Sequence, residues 1–213
     1  MVLYNKKDKR KNIIFTHVPK TGGTSIEKAF GFVVPEGNGK HNNLTLLKST
    51  MVKQGRQDFY NNAFKFTIVR NPFDQLYSFW NYHVNIIGDT SVFRFEKDFN
   101  DFLKKLDLKN KTIAPHHNYG GRYADTVALV WADLFQKQYA YVDGKLEVDF
   151  IGRFENLHRD FSLICKITGF ENKLPHLNNS GKKLPYWARY DRESRKIAEE
   201  LLEEDLKTFG YKF

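Results

Sequence analysis

A short segment near the N-terminus joins an apolar run to a helical pattern through one lysine and two glycines, and it constrains the fold more than any other feature. The β-branched and aromatic run Ile13–Phe15 predicts a buried strand. The chain then turns at Pro19 and passes through residues 20–25, after which apolar residues recur at helical spacing. A strand that turns through glycines into a helix N-terminus gathers backbone N–H groups at one point, where they can bind an anion.

The polar residues of this turn indicate a site for phosphate-type groups. A lysine supplies positive charge, hydroxyl side chains supply donors, and the two glycines allow a ligand to approach the backbone closely. A purely structural Gly-Gly turn would need neither the lysine nor the hydroxyls. Thr24 with Glu27 has the pattern of a capping box, which predicts that the helix starts at Thr24. The residues predicted to contact the ligand are Lys20, Thr21, Gly22, Gly23, Thr24 and Ser25.

A second apolar run, Phe66–Val69, ends at Arg70 and is followed by another helical pattern. Asn71 is the expected cap of that helix and Pro72 its first residue, where the missing N–H does no harm. Arginine can bind phosphate oxygens through two parallel hydrogen bonds, and Ser78 lies two turns along the helix with a hydroxyl. A magnesium-dependent phosphotransferase would be expected to offer an aspartate at this strand end instead. Taken alone, the Arg-Asn-Pro sequence is equally compatible with a structural turn.

Together these segments resemble the nucleotide-binding loops of sulfotransferases that use 3′-phosphoadenosine 5′-phosphosulfate (PAPS). The lysine of a Walker loop follows the glycines, whereas here it precedes them, as in the 5′-phosphosulfate loop of those sulfotransferases. Arg70 and Ser78 match the family's arginine and serine, which hold the 3′-phosphate. Residues 148–157, 174–180 and 209–213 extend the resemblance to the C-terminus. It is nearest to carbohydrate sulfotransferases of the heparan 2-O-sulfotransferase type, in a compact, soluble, bacterial form.

The resemblance implies an enzyme that transfers a sulfuryl group from PAPS to an acceptor hydroxyl, with a carbohydrate as the expected acceptor. We expect Lys20 to stabilise the negative charge that develops on the leaving phosphate. Because a sulfuryl group carries less negative charge than a phosphoryl group, we expect no metal cofactor. The identity of the acceptor, and of the hydroxyl that is sulfated, cannot be predicted from the sequence.

The transfer needs a base, and histidine has the side-chain pKa nearest to neutral pH. His41 follows the first helix and precedes the strand that ends at Arg70. The 2-O type of sulfotransferase places its catalytic histidine in the same interval, so His41 is the predicted base. The adjacent His116 and His117 are the alternative, because a paired-histidine loop could supply the base, bind the acceptor or lie on the surface.

Three further basic residues are candidate contacts of the substrate or the nucleotide. Arg153 comes just after the last predicted strand, although it could instead pair with Glu155. Lys182 and Lys183 lie in a flexible basic turn that could close over the 3′-phosphate or meet an anionic acceptor. A solvated loop explains this turn equally well.

Alternating strand and helix patterns predict an α/β protein with a P-loop-like three-layer α/β/α fold and a central, mainly parallel sheet. The length of 213 residues predicts a single domain over 12–213 after a basic tail over 1–11. Asp143-Gly144 is the expected hairpin turn between the last two strands. Strands are expected near 12–18, 64–69, 139–142 and 146–151, and helices near 24–30, 44–54, 72–86, 98–106, 155–168 and 191–208.

The chain has 34 basic and 25 acidic residues, and its formal net charge of +9 favours anionic partners. Two other functions are compatible with this charge: a P-loop small-molecule kinase using ATP and magnesium, and a non-catalytic polyanion-binding module. No recognition-helix, zinc or RNA-binding motif favours a nucleic acid as partner. The sequence has no recognisable signal peptide or membrane span, so we expect a soluble, cytoplasmic protein. It predicts nothing about oligomeric state.

Overall fold

The computed structural model describes residues 2–3, 12–33, 39–87, 96–107, 112–113, 134–171, 173–175 and 184–213. The chain divides into two compact units, of which the first contains Met1–Arg70 and Gln136–Asn179. The second contains Asn71–Phe135 and Ser180–Phe213. The single domain expected over 12–213 stays a prediction.

The described residues form mixed α/β structure, as the sequence predicts. The strands are β1 (Val2–Leu3), β2 (Ile13–Thr16), β3 (Phe64–Val69), β4 (Leu106–Asp107), β5 (Thr112–Ile113), β6 (Tyr141–Val142), β7 (Lys145–Leu146) and β8 (Phe150–Arg153). The helices are α1 (Gly23–Phe30), α2 (Leu44–Lys53), α3 (Gln57–Asn62), α4 (Pro72–Asn81), α5 (Phe99–Lys104), α6 (Leu157–Thr168), α7 (Arg192–Leu201) and α8 (Glu203–Phe209). A π-helical turn spans Tyr82–Ile87, and 3₁₀ turns span Gln136–Tyr139, Phe154–Asn156 and Tyr186–Arg189.

The first unit is built on a sheet with the strand order β1-β2-β3-β8. Strands β2, β3 and β8 run parallel, with Thr16 opposite Thr67 and Val69 opposite Arg153. The two-residue strand β1 pairs antiparallel with β2, while residues 4–11 of the expected tail lie outside the described residues. Because the carboxyl ends of parallel strands lie at one edge of a sheet, the residues after β2, β3 and β8 all emerge at that edge.

Packing on the two faces of this sheet differs. On one face, Phe15 and Phe66 of the sheet join Ile26 of α1 and Phe161 of α6 in a buried aromatic and aliphatic core. On the other face, Thr16 Oγ1 donates a hydrogen bond to the carbonyl of Tyr139 at 2.7 Å. The 3₁₀ turn that contains Tyr139 is in turn bonded to the start of α2 through Asn43 and Gln138. Helical segments therefore cover both faces of the parallel strands.

The second unit has a mainly helical core. The fully or nearly buried residues of α4, α5, α7 and the α7–α8 junction form one apolar cluster together with Leu134. Its members are Phe73, Leu76, Phe79, Trp80, Phe99, Phe102, Leu103, Leu134, Ala198, Leu201 and Leu202. The C-terminal Phe213 packs its ring at right angles to that of Phe73, with 4.9 Å between the centroids. Tyr190 anchors the chain before α7, because its hydroxyl donates to the carbonyl of Phe73 at 2.8 Å.

The strands predicted near 12–18 and 64–69 are confirmed, but the one predicted over 146–151 is wrong as a single element. Asp143 and Gly144 form the expected turn, and the hairpin around it contains only β6 and β7. Asp149, which follows the hairpin, is bonded to β3: its backbone N–H donates to the carbonyl of Lys65 at 2.8 Å. Its carboxylate also accepts the N–H of Lys65 at 2.7 Å. These two bonds direct the following strand, β8, into the main parallel sheet.

Several helix ends match the sequence pattern. Asn71 caps α4 through a hydrogen bond to the N–H of Phe73, with Pro72 as the first residue. The predicted last helix is divided at Leu202, which ends α7 and begins α8. Helix α3 was not predicted, because six mostly polar residues give no clear helical period.

Candidate active site

The turn between β2 and α1 has an unusual backbone that follows from its sequence. Lys20 and Gly22 both have left-handed conformations, with φ of 65° and 80°. Helix α1 begins at Gly23, and its N-terminal cap is Gly22, with no side-chain cap. The capping box predicted for Thr24 and Glu27 is therefore wrong. Without a capping side chain, the N–H groups of the first helical turn are oriented toward the end of the helix, where an anion would bind.

The hydroxyl residues of this turn occupy different positions. Thr21 is fully buried and donates its hydroxyl hydrogen to the carbonyl of Val18 at 2.8 Å, which ties the turn to the end of the strand. Ser25 is buried within α1, and its backbone N–H donates to the carbonyl of Gly22 at 3.0 Å. Thr24 lies between them and is half-buried. The backbone of this turn is thus held by its own hydrogen bonds.

Glycine at position 23 is required by a close contact with His17. A Cβ atom added to Gly23 would lie 2.2 Å from both Cδ2 and Nε2 of the His17 imidazole. The His17 ring is only 4% exposed and packs directly against the first residue of α1. Its Nδ1–H donates to the Glu27 carboxylate, one turn further along the same helix. His17 therefore fixes the orientation of α1 relative to the end of β2.

Arg70 follows β3 and lies against the same turn. Its Nη1 donates a hydrogen bond to the carbonyl of Lys20 at 2.9 Å. Its backbone is held by the fully buried Gln136, which accepts the N–H and donates to the carbonyl of Arg70, both at 2.8 Å. The guanidinium carbon lies 4.2 Å from the centre of the Phe154 ring. The two segments predicted to bind phosphate groups are thus in direct contact.

His41 also lies beside this turn. Its Nδ1 is 3.0 Å from the carbonyl oxygen of His17, and the two imidazole centroids are 4.5 Å apart. A carbonyl can only accept, so Nδ1 carries the hydrogen and, in the neutral ring, Nε2 holds the lone pair. The buried Tyr139 fixes the backbone here, since its hydroxyl donates to the carbonyl of His41 at 2.9 Å. Burial, together with repulsion from His17 and Lys40, lowers the pKa of His41 to about 4.

Glu27 joins these residues into one charged network. Its carboxylate accepts from His17 and forms an ion pair of 2.9 Å with Lys40, the residue before His41. Burial alone would raise the pKa of Glu27, but the hydrogen bonds from His17 and Lys40 outweigh it and hold that pKa below the ordinary value. Burial lowers the pKa of His17 in spite of its carboxylate partner. The network therefore places a carboxylate close to two histidines that are neutral at pH 7.

The remaining predicted residues are placed as follows. Ser78 is half-buried on α4, which belongs to the second unit. Arg153 ends β8, and its backbone N–H donates to the buried carboxylate of Asp160 at 2.7 Å. The other candidate contacts, His116, His117, Lys182 and Lys183, lie outside the described residues. Within the first unit, the structure therefore brings together the glycine turn, Arg70 and His41.

Sequence reasoning missed the role of three residues around this turn. Phe154 lies against both Arg70 and Gly22, Gln136 holds the backbone of Arg70, and Tyr139 holds that of His41. Phe154 comes directly after β8, so it could have been found from its place at the end of a parallel strand. The other two come from a 3₁₀ turn that has no chemical motif.

The described residues contain no group of three or more histidine, cysteine, aspartate or glutamate side chains placed to hold a metal ion. Their arrangement fits an anionic nucleotide: two left-handed residues before a helix N-terminus, a lysine, and an arginine fixed beside them. Among the described residues, no helix is both long enough and apolar enough to span a bilayer.

A family model described as the sulfotransferase family matches residues 6–212. The chain belongs to the sulfotransferase family. It is also similar to carbohydrate sulfotransferase 10 of Xenopus laevis, with 26% identity over an alignment that covers 94% of this chain and 65% of the relative. The chain thus spans just under two thirds of that relative's length. No solved structure matches it significantly. The predicted resemblance to the sulfotransferase family is confirmed, and the Xenopus laevis relative supports the carbohydrate branch.

Proposed function

We propose that this member of the sulfotransferase family transfers the sulfuryl group of PAPS to a hydroxyl of a carbohydrate. The observation that carries the proposal is the grouping of three functions at one sheet edge. The glycine turn with Lys20 can bind the 5′-phosphosulfate, Arg70 can bind the 3′-phosphate, and His41 can serve as base. Ser78 stays a predicted contact of the 3′-phosphate.

The tautomer of His41 supports its role as base. Because Nδ1–H donates to the carbonyl of His17, the lone pair of Nε2 is the one that can accept a proton. The lowered pKa of His41 leaves this nitrogen unprotonated at neutral pH, so its lone pair is free of a proton before the reaction. The carbonyl of His17 then stabilises the imidazolium that forms, since it continues to accept from Nδ1.

The reaction that follows from these roles is a direct in-line transfer. His41 Nε2 takes the proton of the acceptor hydroxyl as the hydroxyl oxygen forms its bond to sulfur. The bond between sulfur and the bridging phosphate oxygen breaks at the same time, and its electron pair stays on that oxygen. The ammonium of Lys20 and the N–H groups of the turn stabilise the charge on the departing phosphate. The products are a sulfate ester and 3′-phosphoadenosine 5′-phosphate (PAP).

Two observations support a carbohydrate as the acceptor. The Xenopus laevis relative is named as a carbohydrate sulfotransferase, which supports a carbohydrate acceptor here. The net charge of +9 is also compatible with an acidic polysaccharide. A screen of neutral and acidic oligosaccharides with PAPS as donor would identify the acceptor. The cytoplasmic location stays a prediction.

Two other functions predict different ligands. A kinase of the P-loop type would bind ATP with magnesium and would not need a free 3′-phosphate. A polyanion-binding module would bind its ligand with a steep salt dependence and would be indifferent to PAP. Neither explains why a fixed arginine follows β3, where a magnesium-dependent enzyme would use an aspartate.

Isothermal titration calorimetry of PAP without metal tests the proposal. We expect wild type and His41→Ala to bind with similar affinity, and Arg70→Ala to lose most of it. The matched controls are Arg192→Ala, which removes one exposed positive charge, and His158→Ala, which removes one exposed histidine. Preference for ATP with magnesium, or no binding of PAP by wild type, would refute the proposed function.

A further inference from the structure

Phe154 contacts both elements of the proposed nucleotide site. It is the first residue after β8, and the pairing of Val69 with Arg153 brings it next to Arg70, the first residue after β3. Its ring centre lies 4.2 Å from the guanidinium carbon of Arg70. Ring atoms Cδ2 and Cε2 would lie 3.2 Å from a Cβ added to Gly22, so the other contact of the ring is with the left-handed residue of the turn.

These contacts link four residues in a closed circuit. Arg70 donates to the carbonyl of Lys20, and Lys20 lies two residues before Gly22. Gly22 contacts the same aromatic ring over which the Arg70 guanidinium lies. The side chain of Phe154 is itself held in place, because it packs against the buried cluster that contains Phe161 and Ile164. An aromatic side chain anchored in the core therefore supports both the turn and the arginine.

The geometry suits an arginine that must bind a phosphate. A guanidinium group has five N–H donors in its plane and none on its faces. Stacking on an aromatic ring uses a face, so it restricts the orientation of the side chain without using an N–H group. A hydrogen-bond acceptor at the same place would restrict the orientation too, but it would compete with the phosphate for donors.

We propose that Phe154 is a positioning residue that holds the Arg70 guanidinium in the orientation needed for the 3′-phosphate of the nucleotide. This inference rests on the proposed function, because it takes the nucleotide to be PAPS or PAP. Phe154 acts through Arg70 and through the glycine turn, and its own ring need not touch the ligand. Replacing the ring by an aliphatic side chain of similar size therefore weakens nucleotide binding while the apolar packing is largely kept.

The test is the affinity for PAP of Phe154→Leu, measured by calorimetry. A cation–π contact of this kind is worth ~3–30-fold in a binding constant, and we expect a loss in that range. Phe154→Tyr keeps the aromatic face and should bind PAP like wild type. The matched control is Phe150→Leu, which changes a partly buried phenylalanine of the preceding strand, β8, that packs against the same cluster. It should bind PAP normally.

A double-mutant cycle separates positioning from general loss of structure. If Phe154 acts through Arg70, the change Phe154→Leu should cost much less affinity in an Arg70→Ala background than in wild type. Equal losses in both backgrounds, or wild-type affinity of Phe154→Leu, would overturn the inference. If the leucine variant does not fold, Phe154→Met provides the same comparison. Failure of wild type to bind PAP would instead refute the proposed function, so the two failures can be told apart.

Discussion

The substitution Gly23→Ala tests the contact that joins the glycine turn to the histidine network. The φ of Gly23 is not in the left-handed region, so alanine causes no backbone strain there, and any effect is due to the added methyl group. That methyl group would lie 2.2 Å from two atoms of the His17 ring, whereas ordinary contacts begin at 3.4 Å. About 1 Å of movement is therefore needed to relieve the overlap.

The surroundings of His17 determine what this movement costs. The ring is buried, hydrogen-bonded to Glu27, and packed 5.6 Å from the Phe15 ring and 4.5 Å from the His41 ring, measured between centroids. Since the ring cannot rotate freely, α1 must shift instead. Overpacking of this kind lowers the free energy of unfolding by ~1–3 kcal/mol. For a chain of this size, each kcal/mol lowers Tm by roughly 2–4 °C. A displacement of ~1 Å at the anion-binding turn should lower kcat/KM by on the order of 10².

Gly31→Ala is the matched control for this experiment. Gly31 lies at the other end of α1, has φ of 67°, and would have nothing within 4 Å of an added Cβ. Alanine there should cost roughly 1–2 kcal/mol through backbone strain alone and leave kcat/KM unchanged. Thermal unfolding, together with steady-state kinetics of both variants with PAPS as donor, measures the difference. If Gly23→Ala unfolds and turns over like wild type, the described contact between α1 and His17 is wrong.

Three further predictions concern the base, acid stability and a buried carboxylate. His41→Ala should lower kcat by ~10²–10⁴ with PAP affinity kept, and an equal loss of kcat in His158→Ala would contradict this. Because the folded state lowers the pKa of His41 to about 4, the unfolded state binds protons first as pH falls below 6.5. Stability should therefore decrease between pH 6.5 and 4, by on the order of 3 kcal/mol from this residue. Urea unfolding should show a shallower decrease for His41→Asn, and an unchanged slope would refute the assignment. Asp160→Ala should cost ~1–3 kcal/mol in denaturant unfolding, because it leaves the Arg153 N–H without its acceptor; unchanged stability would count against that bond.

The parts of the site that sequence reasoning found are those specified by local pattern. The apolar runs before Lys20 and Arg70 predict two strands, and the rule for parallel sheets predicts that the residues following them meet at one edge. The structure places Arg70 Nη1 on the carbonyl of Lys20, in agreement with that expectation. The order of lysine and glycines then distinguishes the family.

The roles that sequence reasoning missed depend on partners distant in the chain. Glu27 lies three residues after Thr24, which is the spacing of a capping box. Local rules therefore predict that the two residues cap the helix together. In the structure its carboxylate binds His17 and Lys40 instead, which are brought to it only by the packing of α1 against the end of β2. The left-handed conformation of Lys20 could not be predicted from the sequence either, because lysine has no preference for it.

One error of topology explains why Phe154 was overlooked. The sequence pattern around Asp143-Gly144 favours a hairpin, and it predicts that the whole run over 146–151 is the second strand. A hairpin strand lies antiparallel to its partner, so the residue after it would not emerge beside Arg70. In the structure only Lys145–Leu146 completes the hairpin, and Phe150–Arg153 pairs in parallel with the strand that ends before Arg70. The same rule that places Arg70 at the site also places Phe154 there, once β8 is assigned to the correct sheet.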